Sequence, residues 1–257
     1  MRRVRLRSVL GCVLLLSGSL LFHAGCGDDS PSKPPGTTDI EGRVWLYRPS
    51  PTTDFLYTWS WGSNVNVATA GLQKEISTRT NWEGRFALPK VPVGETIYLR
   101  ASGIEGATNG CSQVFTVEKD QLILLVMATD ALVTAMAEAW GVAIDPQQAL
   151  LCAVAANWDP NQDPPITAFI GGVTVSLTPE VQEQDFKLVY FDPTNVSNTA
   201  RTSTHPAQSL IFGANVPVSS TQKSTYTLSA QHATHQFENI KLPAEANTLT
   251  HVVIAPR

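Results

Sequence analysis

The feature that most constrains this chain is a β pattern that occurs twice. Residues 77–103, STRTNWEGRFALPKVPVGETIYLRASG, have a partner in residues 199–232, TARTSTHPAQSLIFGANVPVSSTQKSTYTLSAQH. Each reads as a Thr-containing lead, an alternating strand, a Val-Pro-Val corner and a second alternating strand. The order extends outward: VNVATA (65–70) corresponds to VTVSLT (173–178), and FTVEKDQLILLVMA (115–128) to FENIKLPAEANTLTHVVIA (237–255). Side chains that alternate in character along a strand bury one face and wet the other, so each copy needs a second layer to cover it. Self-similarity of this kind predicts two copies of one sandwich.

From residue 39 to 128 the strand pattern is continuous, with IEGRVWLY, EISTRT and SQVFTVEK among its runs and Asn, Gly and Pro between them, as expected of an antiparallel sandwich. A helix signal follows in TDALVTAMAEAWG. Thr129 or Asp130 can cap its start, Leu132, Val133, Met136 and Trp140 share a face, and Gly141 can close its end. Asp145-Pro146 then opens a turn before LLCAVA. Residues 129–148 therefore read as a helical connector between a sandwich at 39–128 and a second at 149–257.

The first copy resembles a known family. Gly42 and Val44, then Thr80, Asn81, Gly84 and Phe86, then Pro92, Gly94 and Tyr98 are similar to the pattern of the carboxypeptidase regulatory-like domain, a transthyretin-like seven-stranded sandwich. Gly84 and Gly94 suit tight turns that need positive φ. The resemblance spans residues 40–128, is faint over 149–257, and implies an accessory domain without catalytic residues of its own. The expected fold class is thus all-β: two transthyretin-like or Ig-like antiparallel β-sandwiches and a short helical connector.

Ahead of these, Arg2, Arg3, Arg5 and Arg7 precede an uncharged run from Ser8 to Phe22, and small residues Ala24 and Gly25 lead to Cys26. This is the pattern of a signal peptide, 1–25, and its apolar run is shorter than the roughly twenty residues a spanning helix needs. Ala24-Gly25-Cys26 resembles the lipobox of bacterial lipoproteins, with His23 where an aliphatic residue is usual. That resemblance implies lipidation of Cys26 as the mature first residue and an anchor in a membrane, most simply the outer membrane, facing the periplasm or the cell surface. Residues 26–38, rich in Pro, Gly and Ser, read as a flexible tether. Loss of residues 1–25 would lower the formal charge from -4 by four arginines to -8. So acidic a chain repels phosphate backbones, which argues against nucleic acid as a partner.

Four clusters deserve weighing for chemistry. Tyr57, Trp59 and Trp61 alternate, so they project from one face of a strand, either as a platform for sugar rings or as cover for a core. Cys111 and Cys152 can pair in an oxidising compartment, or Cys152 can lie free in ALLCAVA. His232, His235 and Glu238 form HATHQFE; in a strand, residues three apart face opposite ways, so the two histidines meet at a metal only through a turn. Asp159, Asn161 and Asp163 alternate like the start of a calcium loop, but Pro164 and Ile170 stand where such a loop wants Gly and an acid. No nucleophile elbow, P-loop, dinucleotide fingerprint or C-x-x-C occurs. The expectation is a lipid-anchored, non-catalytic envelope protein without cofactor, binding or scaffolding a protein or glycan partner. A carbohydrate-binding accessory role for Tyr57, Trp59 and Trp61 is the alternative, and a metal-dependent hydrolase at His232, His235 and Glu238 a more distant one.

Overall fold

The computed structural model describes residues 36–50, 57–159, 162, 166–181, 186–195, 198–218 and 224–257. The stretch expected as a signal peptide, Cys26 and most of the expected tether lie outside them. The first half holds β1 (Thr37–Pro49), β2 (Tyr57–Trp61), β3 (Asn66–Ala70), β4 (Ser77–Arg79), β5 (Arg85–Pro92), β6 (Thr96–Ser102), β7 (Ala107–Ser112), β8 (Phe115–Thr116) and β9 (Leu122–Thr129). After α1 (Asp130–Trp140) come β10 (Ala149–Trp158), β11 (Ile166–Phe169), β12 (Thr174–Thr178), β13 (Lys187–Tyr190), β14 (Leu210–Val216), β15 (Ser224–Gln231), β16 (Ile240–Ala244) and β17 (Thr248–Ile254). The described residues are all-β apart from α1. β1 starts at Thr37, inside the stretch expected as tether.

The two halves repeat one connectivity. β1 lies between β5, antiparallel, and β9, parallel; β10 lies between β14, antiparallel, and β17, parallel. β3 pairs with β6 as β12 pairs with β15. A buried threonine fastens each copy in the same way. Thr80 N–H donates to Val65 O, its Oγ1 donates to Gly62 O at 2.6 Å and accepts from Val65 N at 2.8 Å. Thr204 does likewise with Val173 O, Ile170 O (2.7 Å) and Val173 N (2.9 Å). Before each Val-Pro-Val corner stands one left-handed residue, Lys90 or Asn215, both at φ 56°, where the register slips against β1 or β10. Gly84 takes φ 70° at its turn, and Phe86 beyond it is buried. An added Cβ at Gly84 would stand 2.7 Å from Val44 O, so the turn requires glycine on both counts.

Pairing is mixed, where a wholly antiparallel arrangement was expected. β1 with β9, β10 with β17, and β17 with β7 run parallel. Parallel neighbours need a long crossover, and here each crossover is most of a sandwich, from β1 round to β9 and from β10 round to β17. The third parallel pair matters most, because it joins the halves: Thr248 to His251 of β17 lie opposite Asn109 to Ser112 of β7. β7 changes partners along its length, meeting β9 at Ala107 and Thr108, and β6 at Gly110 and Cys111. Gly110 permits this close approach, since a Cβ there would stand 2.3 Å from Val126 O.

Alternation along β1, β9 and β10 creates three stacked cores. Val44, Leu46, Leu125 and Met127 point towards β3 and β6 and fill the first half. Leu151, Ala153 and Ala155 point towards β12, β15 and β16 and fill the second. The opposite faces, Trp45 and Tyr47 of β1, Leu124 and Val126 of β9, and Leu150 and Val154 of β10, meet in a middle core that belongs to both halves. α1 closes that core with Leu132, Val133, Met136 and Trp140. Thr129 Oγ1 accepts from Leu132 N as N-cap, and Gly141, at φ 63°, ends the helix. Lys187 Nζ donates to Trp140 O at 2.7 Å, placing a cation at the helix C-terminus. On the other side of the joint, Glu245 Oε1 accepts from the Tyr98 hydroxyl and from Arg100 Nε at 3.0 Å, clamping β6 to the turn between β16 and β17. Burial first, and then that carboxylate, raise the tyrosine pKa.

Candidate functional site

Alternation along β2 sets Trp59 and Trp61 on the face that β1 turns towards the middle core, with Trp61 opposite Trp45 and Trp59 opposite Tyr47 in the register; the backbone of Tyr57 continues the row opposite Pro49. The row therefore covers the middle core in part and leaves one indole exposed. Trp45 is buried, Trp61 is half-buried against the core, and Trp59 is 44% exposed. Trp59 stacks on Trp45 with ring centres 5.1 Å apart and an 18° interplanar angle, and meets Trp61 edge-on at 4.9 Å. The Arg43 guanidinium covers Trp61 at 4.8 Å. Indoles held by neighbours on two sides lose little entropy when a ligand stacks on them, which is what a preorganised platform needs. Trp45 Nε1 is buried beneath without a hydrogen-bond partner.

A second exposed indole, Trp82 at 76%, escaped the sequence reading. It rides the turn between β4 and β5, where Asn81 Oδ1 accepts from Glu83 N and Arg85 N, both at 2.9 Å. That turn abuts the platform, since a Cβ on Gly84 would lie 3.4 Å from Trp61 Cβ. The available signal was an apolar residue inside Asn-x-Glu-Gly, a sequence otherwise built for a solvated turn.

The cysteines do not pair. Cys111 and Cys152 are both free and buried. Cys111 lies opposite Thr250 and Cys152 opposite His251, neighbours on the intervening strand β17, so the two thiols point to opposite faces of the sheet. Burial pushes the Cys152 thiol up to about 12 and raises Cys111 as well, where Glu245 adds to the effect. Because only the thiolate reacts, iodoacetamide at pH 8 is expected to leave both cysteines unmodified in the folded chain and to alkylate both in urea. A linked Cys111–Cys152 peptide by mass spectrometry would contradict this.

His232 and His235 do come together through a turn, with rings 4.8 Å apart. His232 Nδ1, however, accepts from His235 N at 3.2 Å, and Glu238 pairs with Arg257 at 3.1 Å. Among the described residues no three His, Cys, Asp or Glu side chains are grouped so as to hold a metal. Asp159 stands at the end of β10; Asn161 and Asp163 lie outside the described residues.

Two hollows among the described residues border the middle core. A cleft of about 590 Å³ runs along α1, with Val133, Ala137 and Leu150 on its floor and Asp130, Glu138 and Asp145 at its rim. A cavity of about 240 Å³ lies between β9 and β17 and is lined by Trp158 and His251 among others.

No family model matches the chain, and the comparison with curated proteins finds no relative. Among solved structures, the shaft pilin SpaA from Lactobacillus rhamnosus GG aligns with 86% of this chain and 98% of its own, at 11% identity and a TM-score of 0.24. The major pilin T-13 from Streptococcus pyogenes aligns with 88% and 98%, at 9% identity and 0.23. The Bacillus anthracis TIE protein aligns with 85% of this chain and 34% of its own, at 11% identity and 0.22. TM-scores of this size fall short of a common fold, and the site has to be understood from its own geometry.

Proposed function

We propose that this chain is a lipid-anchored, non-catalytic module of the bacterial cell envelope that binds a glycan on the platform formed by Trp59, Trp61 and Arg43. The observation that carries the reading is Trp59 itself, a 44% exposed indole backed by Trp45 and flanked by Trp61. Sugar rings present C–H faces that stack on such a surface, and the guanidinium beside it donates to hydroxyl or carboxylate oxygens. The anchor rests on Ala24-Gly25-Cys26 and its resemblance to a lipobox, and the accessory role on the resemblance to the carboxypeptidase regulatory-like domain. Phosphate-rich partners fit poorly with the acidic balance of the chain.

Affinity electrophoresis through gels containing bacterial and plant polysaccharides tests this reading. The full chain is expected to be retarded by at least one of them. Trp59→Ala should weaken that interaction roughly tenfold or more, the equivalent of about 1.4 kcal/mol of stacking. Retention that is unchanged in Trp59→Ala, or saturable turnover of the polysaccharide by the purified protein, would overturn it.

A further inference from the structure

We propose that the cleft along α1 is a second binding site, for a linear organic dication that carries an ammonium group at each end of an apolar chain. Its volume of about 590 Å³ is that of a small-molecule site, which usually measures about 300–1,000 Å³. One face of the helix forms one bank. Asp130, Val133, Ala137 and Glu138 follow the 3.6-residue repeat, so all four line the cleft. Asp130 and Glu138 are eight residues apart, which puts their Cα atoms about 12 Å apart along the axis at about 1.5 Å per residue. Both are exposed, whereas Val133 between them is 8% exposed and Leu150 on the floor 3%. Charge thus stands at two ends, with apolar carbon in the middle.

The sign of the charge decides the ligand class. The described residues that line the cleft include three carboxylates, Asp130, Glu138 and Asp145, and no Lys, Arg or His. None of the three is in an ion pair among the described residues. Lys187, the cation at the end of α1, donates to Trp140 O and is not part of the lining. A single metal ion does not answer this charge, because among the described residues no three acids, histidines or cysteines are grouped closely enough to hold one. An elongated cation does, meeting the carboxylates one at a time while its methylenes cover Val133, Ala137 and Leu150. The far bank is fixed in advance. Asn215 Oδ1 accepts from Asp145 N at 2.9 Å and Asn215 Nδ2 donates to Ala143 O at 2.8 Å, while Val142 N donates to Ala137 O at 2.9 Å. Walls held in this way lose little freedom when a ligand arrives. The cleft shares no lining residue with the proposed glycan platform.

NMR titration of the full chain with 1,8-diaminooctane at pH 7 and low salt tests the assignment. Its nitrogens stand about 11 Å apart when extended, against about 6 Å in 1,4-diaminobutane, by ordinary bond lengths and angles. The amide signals of Ala137, Glu138 and Asp145 are expected to shift saturably with the long diamine, at one site per chain, while that of Trp59 stays put. The short diamine, equal in charge, and neutral 1-octanol, equal in chain length, should each bind roughly tenfold more weakly or worse. Asp130→Asn and Glu138→Gln should each weaken the long diamine about three- to fivefold, the upper range for solvent-exposed ion pairs. Thermal melting should barely change in either variant, since both positions are exposed. Absence of a saturable shift, equal affinity for the two diamines, or affinity unaltered by both substitutions would overturn the assignment. So would tighter binding of the peptide acetyl-Lys-Leu-Ala-Lys-amide, which would make the cleft a groove for a protein segment.

Discussion

Trp140→Ala is expected to lower the unfolding free energy by about 3–5 kcal/mol, in the range of large aromatic truncations in well-packed cores. Trp140 is the last residue of α1, is 3% exposed, and rests on Phe212 of β14 with ring centres 5.1 Å apart. The middle core it occupies is built from both halves, from Trp45, Tyr47 and Leu124 as much as from Leu150 and Leu210. The fixed backbones of two sheets cannot collapse into the void, so the cavity penalty should be near the top of the usual range. For a domain of this size about 1 kcal/mol moves the midpoint by roughly 2–4 °C, so the melting temperature should fall by roughly 10 °C. Far-UV circular dichroism and tryptophan fluorescence should report one coincident transition, because β7 and β17 belong to one sheet and the halves cannot separate without breaking it. A loss under about 1 kcal/mol, or two resolved transitions in the unaltered chain, would mean that the halves are independent.

The second large effect is a pH dependence from His251. Burial lowers its pKa from 6.5 to about 4. Between those values the unfolded chain takes up a proton that the folded chain refuses, so stability rises with pH. The contribution is fully present above about 6.5, is lost progressively as the pH falls to about 4, and levels off below, amounting to about 3 kcal/mol at about 1.36 kcal/mol per pH unit. Urea unfolding from pH 7.5 to 4 should show this slope, and His251→Leu should flatten it. Asp192 acts in a lower window. Its pKa is lowered to about 2 by the hydrogen bond from the Thr194 side chain and then by Thr194 N, Asn198 and Arg201, against the opposing effect of burial, so its stabilisation is lost only as the pH falls from about 4 through 2. Identical slopes above pH 4 in His251→Leu and the unaltered chain would refute the histidine's role.

What could be read in the sequence was local. Thr129, Gly141 and the four apolar residues of one helix face occupy the positions their chemistry dictates, because caps and 3.6-residue periodicity act within a few turns. The duplication was legible for the same reason: Val65 and Val173, matched by pattern alone, turn out to share their backbone bonds with Thr80 and Thr204. The union of the halves was not legible. Strand β7 carries no mark that it will take β17 as a parallel partner across more than a hundred residues, and a parallel pair leaves no turn motif to find. Period-two alternation likewise puts Trp59 and Trp61 on one face without saying whether that face meets another sheet; here it meets one only in part, which leaves Trp59 exposed. Cys111 and Cys152 suggested a bridge by count, but the one-residue offset of their partners on β17 puts them on opposite faces. The place of His251 was legible in part, since the alternation in TLTHVVIA sets it with Leu249 and Val253 on one strand face.

These observations join the proposed glycan platform to the fold. Trp59 stays where it is because Trp45 beneath it is part of the core that holds the two halves together, so the proposed binding surface and the fold share a residue. The most direct test is an NMR titration of the indole N–H signals with an oligosaccharide taken from whichever polysaccharide retards the chain. The Trp59 signal is expected to shift with saturation while that of buried Trp140 remains fixed. A bound oligosaccharide that leaves Trp59 unmoved would contradict the account.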